Sequence, residues 1–396
     1  MKLLRVRATN YKNCCDDFTI DLVTKSKKTS EDKEYELQEI ADDLYVFNTV
    51  AFVGKNASGK TSAIELLECC YSILEEFRLE EKHYNYDNVY LEIIFYDKGF
   101  IYKYETVLKS DLNLNSKANF TQQHIYRKKY YKTKVKDIYE DEGFEEITGF
   151  SELPEDTSIV FFILKKKETH AVYFDCDGEG IDTYRIMFKA MKTYKISNDM
   201  LMKIIKIFDS KIKSLEMLDE KRYKIVYQDE IKELSDSELV YMLSSGTTKG
   251  VLLYIFVVAA LKNGFDLLVD EVENHFHKTL VENMISLFKD KTVNRKSATL
   301  IFTTHYCELL DLFNRQDNIW IAQAENKVHL KNMYESYNIR PELLKSRQFY
   351  NNVFDTSVNY EDLMELKKGL MNWNEVSDYV WGSEWTWNYS NVVRKW

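Results

Sequence analysis

The sequence predicts an α/β protein built on a parallel sheet covered by helices. Three observations predict it. From residue 240 onward apolar strand-like runs alternate with helical ones, FDLLVD, HKTLVENMISLF, ATLIFTTH and NIWIAQ, and strands joined through helices pair in parallel. Near the start, the apolar run YVFNTVAFV ends in GKNASGKT and a helical period follows, a strand–loop–helix unit of the same kind. The chain has 396 residues, 45% hydrophobic and 30% charged, a globular balance that excludes global disorder and allows a large core without disulfide or metal staples. Only 2 Pro and 12 Gly occur, which excludes collagenous and Gly/Pro-linker chains.

The elements follow in order. Residues 1–24 read as a strand and its return, LLRVRAT and FTIDLV, with NYKNCCDD as the turn. The charged stretch 25–43 reads as an exposed loop or a short helix. YVFNTVAFV reads as one buried strand. Ser62 to Arg78 is helical by period, with Ile64, Leu67, Leu74 and Phe77 on or near one face. VYLEIIFY and FIYKYETVL, separated by DKG, form a hairpin signal. Residues 185–218 are helical in pattern and lead into the strand KIVY. A helix follows LSSGT; its apolar run Val251 to Leu261 suits a buried helix and is too short to span a bilayer. No internal repeat and no sustained heptad pattern appears. The expected division is 1–184, 185–345 and a C-terminal extension 346–396.

Charge and cysteine set further bounds. The net charge is −10, so any nucleic-acid contact is local. Residues 101–136 carry nine basic side chains against Glu105 and Asp111, and residues 137–156 carry nine acids with no Lys or Arg. Two readings stay open: pairing of the two stretches within the chain, or a nucleic-acid contact through 127–136, where Arg127, Lys128 and Lys129 are flanked by Tyr126, Tyr130 and Tyr131. The N-terminus lacks an apolar leader. The six Cys, at 14, 15, 69, 70, 176 and 307, include no C-x-x-C spacing, which fits reduced thiols and a cytoplasmic location. Five of the six Trp fall in 373–396, where they either pack on their own domain or anchor an interface.

Four stretches carry chemistry. GKNASGKT fits G-x-x-x-x-G-K-[ST] as Gly54, Gly59, Lys60 and Thr61. Glycines let the backbone N–H groups of Lys55, Asn56, Ala57, Ser58 and Ser62 gather around phosphate at a helix N-terminus; Lys60 adds a cation and Thr61 a hydroxyl for magnesium. FDLLVDEVENHFH ends a strand in Asp270, placed to hold magnesium, and Glu271, placed to polarise water. LIFTTH ends another strand in Thr303, Thr304 and His305, where a His beside a γ-phosphate can donate to it. LSSGTTKG puts Ser244, Ser245 and Gly246 at a helix start, either an anion-binding end or a simple cap.

This order of motifs resembles the ABC-type ATPases of the SMC, RecF and OLD group. More closely, SSGT before an apolar helix, DEVENHFH, IFTTH and DNIWIAQ are similar to stand-alone AAA-family/ABC-type ATPases of bacterial anti-phage, abortive-infection systems. The resemblance implies an ATPase head with a β-rich N-terminal lobe and a helical signature lobe; the sequence departs from that group in having no long coiled coil between the two halves. By it, Gly54 to Thr61 is the Walker A motif, Leu243 to Thr247 the signature, Asp270 and Glu271 the Walker B, Glu273 to His277 the D-loop region and His305 the switch. Asn10 and Lys12 of TNYKN would lie near the nucleotide, and Gln122 or Gln123 would serve as the Q-loop. The cofactors implied are ATP and magnesium. The partners are a second copy across an ATP sandwich and an effector protein, expected to be a nuclease, with no membrane. The other class of reading is a repair-type enzyme acting directly on DNA or RNA, for which FDCDGEGID, with Asp175, Asp177, Glu179 and Asp182, is the candidate metal cluster or else a polar turn.

Overall fold

The structure is a computed structural model and describes residues 1–76, 79, 86–110, 118–150, 153–164, 169–175, 182–219, 221–274, 276–356 and 360–371. Residues 1–356 form one compact unit and 357–396 a second. The described element of the second unit is the helix Tyr360–Met371.

At the centre of the first unit lies a six-stranded sheet in the order Ala171–Asp175, Asp266–Asp270, Leu300–Thr304, Thr49–Val53, Ile319–Ala324, Val328–Asn332. All neighbours are parallel except the last pair, an antiparallel hairpin. Its strands read as continuous apolar runs because both faces are covered. Val50 and Phe52 point to one core, with Leu268, Ile301 and the helix Lys60–Glu75. Ala51 and Val53 point to the other, with Leu267, Val269, Phe302 and the helices Ser245–Asn263 and Lys278–Lys289.

A second, antiparallel sheet packs into the first core. It runs Phe18–Asp21, Lys2–Thr9, Val89–Asp97, Phe100–Ser110, Ala118–Lys129, Glu145–Glu146. The DKG hairpin forms as expected: Asp97 pairs with Phe100, and Lys98 and Gly99 both have positive φ, +46° and +87°, as a two-residue turn matched to strand twist requires. The expected alternation after residue 240 is also present, element for element. The two sheets are tied by charge. Lys2 Nζ lies 2.7 Å from Asp266 Oδ1, and Tyr71 Oη donates to Asp266 Oδ2 at 2.7 Å.

Three expectations need correction. YVFNTVAFV is two strands: Leu44–Phe47 pairs with Leu37–Ala41, and Thr49–Val53 enters the parallel sheet. Asn48 between them donates its backbone N–H to Glu36 O, its side-chain amide to Tyr35 O, and accepts from Leu300 N. A continuous apolar run reports burial and does not say in which sheet. The 25–43 stretch does hold a short helix, Ser30–Tyr35, started by a capping box between Thr29 and Asp32; what the expectation lacked is the strand Leu37–Ala41 after it. The helical reading of 185–218 stops early. Helices Thr183–Tyr194 and Asn198–Phe208 are followed by the strand Ile212–Asp219, the first of a three-stranded antiparallel sheet with Arg222–Tyr227 and Glu230–Ser235.

The helix Ser245–Asn263 is the single helix among the described residues long and apolar enough to cross a membrane by length and composition. It is packed inside the fold, against helices Thr183–Tyr194 and Asn198–Phe208 and the strand Asp266–Asp270. Close approach decides one residue in it: a Cβ on Gly250 would lie 2.1 Å from the Phe208 ring.

Candidate functional site

The loop after Thr49–Val53 leaves the middle of the parallel sheet and turns into the helix Lys60–Glu75. Its two glycines are required for different reasons. A Cβ on Gly54 would meet Ala322 O and Ser58 Oγ, both at 2.5 Å; Gly59 has φ +95° and a Cβ there would lie 2.2 Å from Val328. Gly59 is the N-cap and offers no side chain to the first turn, so the helix-start N–H groups face a cleft with a volume of 720 Å³. Asn56, Ala57, Ser58, Lys60, Thr61 and Ser62 line it from this side.

Lys60 is 4% exposed. Its Nζ donates to Gly54 O at 3.2 Å and Lys55 O at 3.1 Å, and lies 3.3 Å from His305 Nδ1. Burial pulls its pKa below the ordinary lysine value, and the carboxylates of Glu271, Glu273 and Asp270 act in the opposite direction.

Parallel register brings the other groups to the same edge of the sheet. Asp270 ends its strand buried and is hydrogen-bonded to Thr303 and Thr61. Burial pushes its carboxyl above the ordinary aspartate value, while those two bonds act the other way. Glu271 follows with φ +47°, a left-handed conformation that a non-glycine residue adopts at a cost. Thr303 Oγ1 accepts from Glu271 N at 2.6 Å, and Asn274 Nδ2 donates to Glu271 Oε2. The carboxylate is thereby aimed into the cleft, with Oε1 3.5 Å from His305 Nε2. His305 Nδ1 lies 3.2 Å from Gly54 O.

The structure thus brings Lys60, Thr61, Glu271 and His305 together at one cleft, with Asp270 hydrogen-bonded to Thr61 but not itself among the lining residues. Ser244, Ser245 and Gly246 are not among its lining residues. Ser244 and Ser245 are exposed, and Ser244 caps its helix by accepting Thr247 N at 3.1 Å. Asn10 and Lys12 do not line the cleft either: Asn10 donates to Asp87 O, and Lys12 pairs with Glu65 on the phosphate-loop helix. Gln123 sits elsewhere, accepting from Tyr104 Oη and Ile159 N and donating to Thr157 O, and Gln122 is exposed on the same strand.

Sequence reasoning missed Asn13 and Val328, which also line the cleft. Asn13 sits one residue past Lys12 in TNYKN, so the motif pointed to the right turn and the wrong side chain. Val328 begins the final strand of the sheet, and nothing local to it signals a phosphate loop. Asn274 and Glu273 lay within a named stretch, but without a role.

Part of the pairing expected between the two charged stretches is present, and these contacts do not bear on the nucleic-acid reading of 127–136. Lys103 bridges to Asp141 at 2.7 Å, Lys128 Nζ donates to Asp137 O and Glu140 O, and Glu145–Glu146 pairs as a strand with Tyr126 and Arg127. In the acidic cluster, Asp175 ends its strand beside Asp270, Asp182 pairs with Arg185, and Asp177 and Glu179 lie outside the described residues, as do Cys176 and the Trp-rich 373–396. Among the described residues no group of three metal-binding side chains stands together, and Cys14, Cys15, Cys69, Cys70 and Cys307 are not in disulfides.

No protein-family model matches the sequence, and no curated protein matches it. Solved structures similar to it include SMC head domains. One is the SMC head domain from Thermotoga maritima, 12% identical over 84% of this chain and 99% of that one, with a TM-score of 0.39. Another is an SmcHead bound to the C-winged helix domain of ScpA, 11% identical over 84% and 97%, with a TM-score of 0.46. At these scores the likeness adds no weight to the geometry of the cleft.

Proposed function

We propose that the protein is an ABC-type ATPase that binds ATP in the 720 Å³ cleft and hydrolyses it. The observation that carries this reading is the convergence of Lys60, Thr61, Asp270, Glu271 and His305 from three different strand ends. A helix N-terminus with a glycine cap receives the phosphates, and Lys60 neutralises part of their charge. Thr61 and Asp270 are hard oxygen donors already in contact, a set that fits magnesium, and they would hold it. When bound, the ion supplies charge neutralisation at the phosphate oxygens.

Glu271 accepts a proton from water as the water oxygen bonds to the terminal phosphorus and the anhydride bond breaks toward the departing diphosphate. His305 stands beside that carboxylate and donates toward the phosphate. The exposed Ser244 and Ser245 serve a second copy of the chain, whose nucleotide they complete across a homodimer. The work done by that closing and opening passes to a partner effector, a nuclease in the anti-phage reading that the motif order resembles.

The test is ATP turnover by the full chain, followed by sizing of Glu271→Gln with and without ATP. Glu271→Gln is expected to lose turnover and to become dimeric when ATP is added. A chain without turnover, whose variant stays a monomer regardless of nucleotide, overturns the proposal.

A further inference from the structure

Glu273 has no assigned step in the chemistry above beyond the pull of its charge on Lys60, yet it is 7% exposed next to His305. Its Oε1 accepts the backbone N–H of His305. Its Oε2 is buried with no hydrogen-bond partner among the described residues. A buried carboxylate oxygen left unpaired is costly, so a glutamate here is disfavoured by packing alone. What it provides is reach. Strand Asp266–Asp270 pairs with Leu300–Thr304 only from Leu267 to Val269. Beyond that register the two strand ends are held by Thr303 on Asp270 and Glu271, by Val272 N on Thr303 O, and by Glu273 on His305.

We propose that Glu273 is a positioning residue that anchors the backbone of His305. The anchor sets the imidazole with Nδ1 3.2 Å from Gly54 O and Nε2 3.5 Å from Glu271 Oε1. It couples the turn after Asp270 to the end of the neighbouring strand, so the two groups nearest the water and the terminal phosphate keep their spacing. This inference rests on reading the cleft as an ATPase site.

Three variants of the full chain test it. Glu273→Gln keeps an oxygen acceptor at the same reach, Glu273→Asp keeps the charge and is one methylene too short, and Glu273→Ala removes both. Turnover, ATP affinity, melting and amide hydrogen exchange over residues 303–307 are read for each. Glu273→Asp and Glu273→Ala are expected to lose kcat by roughly tenfold or more with KM changed by less than about threefold, and to exchange faster at 303–307. Glu273→Gln is expected to recover most of kcat and the wild-type exchange. An Asp variant that matches the wild type, or a Gln variant as impaired as Asp, overturns the anchor. If the wild-type chain shows no turnover, the ATPase reading fails by itself, and exchange at 303–307 still decides: lost protection in the Asp variant supports the anchor and retained protection overturns it.

Discussion

At the scale of single residues, the phosphate loop is sterically determined. Gly59 has φ +95° and faces Val328, so Gly59→Ala meets both backbone strain and a clash. It is expected to cost about 1–3 kcal/mol of stability and to weaken ATP binding, measurable by urea unfolding and nucleotide titration. Lys60→Ala is expected to weaken ATP binding by roughly tenfold or more while melting like the wild type, because its hydrogen bonds among the described residues go to carbonyls of its own loop and a neighbouring imidazole, and the attraction of Glu271, Glu273 and Asp270 is opposed by the cost of its burial. Gly54, Lys60, Thr61, Asp270, Glu271 and His305 were legible in sequence, because each sits in a short pattern whose chemistry fixes its spacing. Val328 was not, because it reaches the loop through sheet register, across more than 260 residues from Gly59. Glu273 was illegible for another reason: its partner is a backbone N–H, which every residue but proline carries.

At the scale of elements, the apolar helix Ser245–Asn263 shows what periodicity reads well. It is apolar all round because helices and a strand cover it. Its contact with Asn198–Phe208 is close enough to need Gly250. Gly250→Ala is expected to destabilise by roughly 1–3 kcal/mol through overpacking, and Phe208→Ala in the same chain to relieve part of that loss, a coupling that a double-mutant cycle measures. The strands were legible as buried runs, yet YVFNTVAFV shows the limit: hydrophobic pattern is the same on both sides of Asn48 and the sheets differ. The three-stranded sheet from Ile212 was hidden because its first strand, IKSLEMLD, places apolar residues at spacings that fit either period.

At the scale of the whole molecule, long-range charge pairs fasten the N-terminal segments to the parallel sheet. Arg315, 4% exposed, bridges Asp317 at 2.6 Å and Asp32 at 2.9 Å, and its NH2 donates to Thr24 and Ser26. Burial works to raise the Asp317 carboxyl, and the Arg315 guanidinium together with the backbone N–H groups of Ser26 and Lys25 outweighs it, leaving the pKa below the ordinary aspartate value. A carboxyl depressed on folding contributes stability that is present above its unfolded pKa, about 4, and is lost as pH falls through the folded value. Asp317→Asn is therefore expected to lose about 1–3 kcal/mol at pH 7, since it removes one of the two carboxylates facing a buried guanidinium that Asp32 still pairs. Urea unfolding from pH 7 to 3 is expected to show a shallower acid loss in that variant than in the wild type.

The junction at Asn48 has a mechanical consequence. The chain passes from the Leu37–Phe47 hairpin to the phosphate-loop strand through one residue, and that residue is pinned on three sides. An extended backbone is close to its full length and has almost no slack to give. A displacement of the phosphate-loop strand along its axis would therefore have to break, or carry with it, the bonds by which Asn48 ties that strand to Tyr35, to Glu36 and to Leu300 of the neighbouring strand.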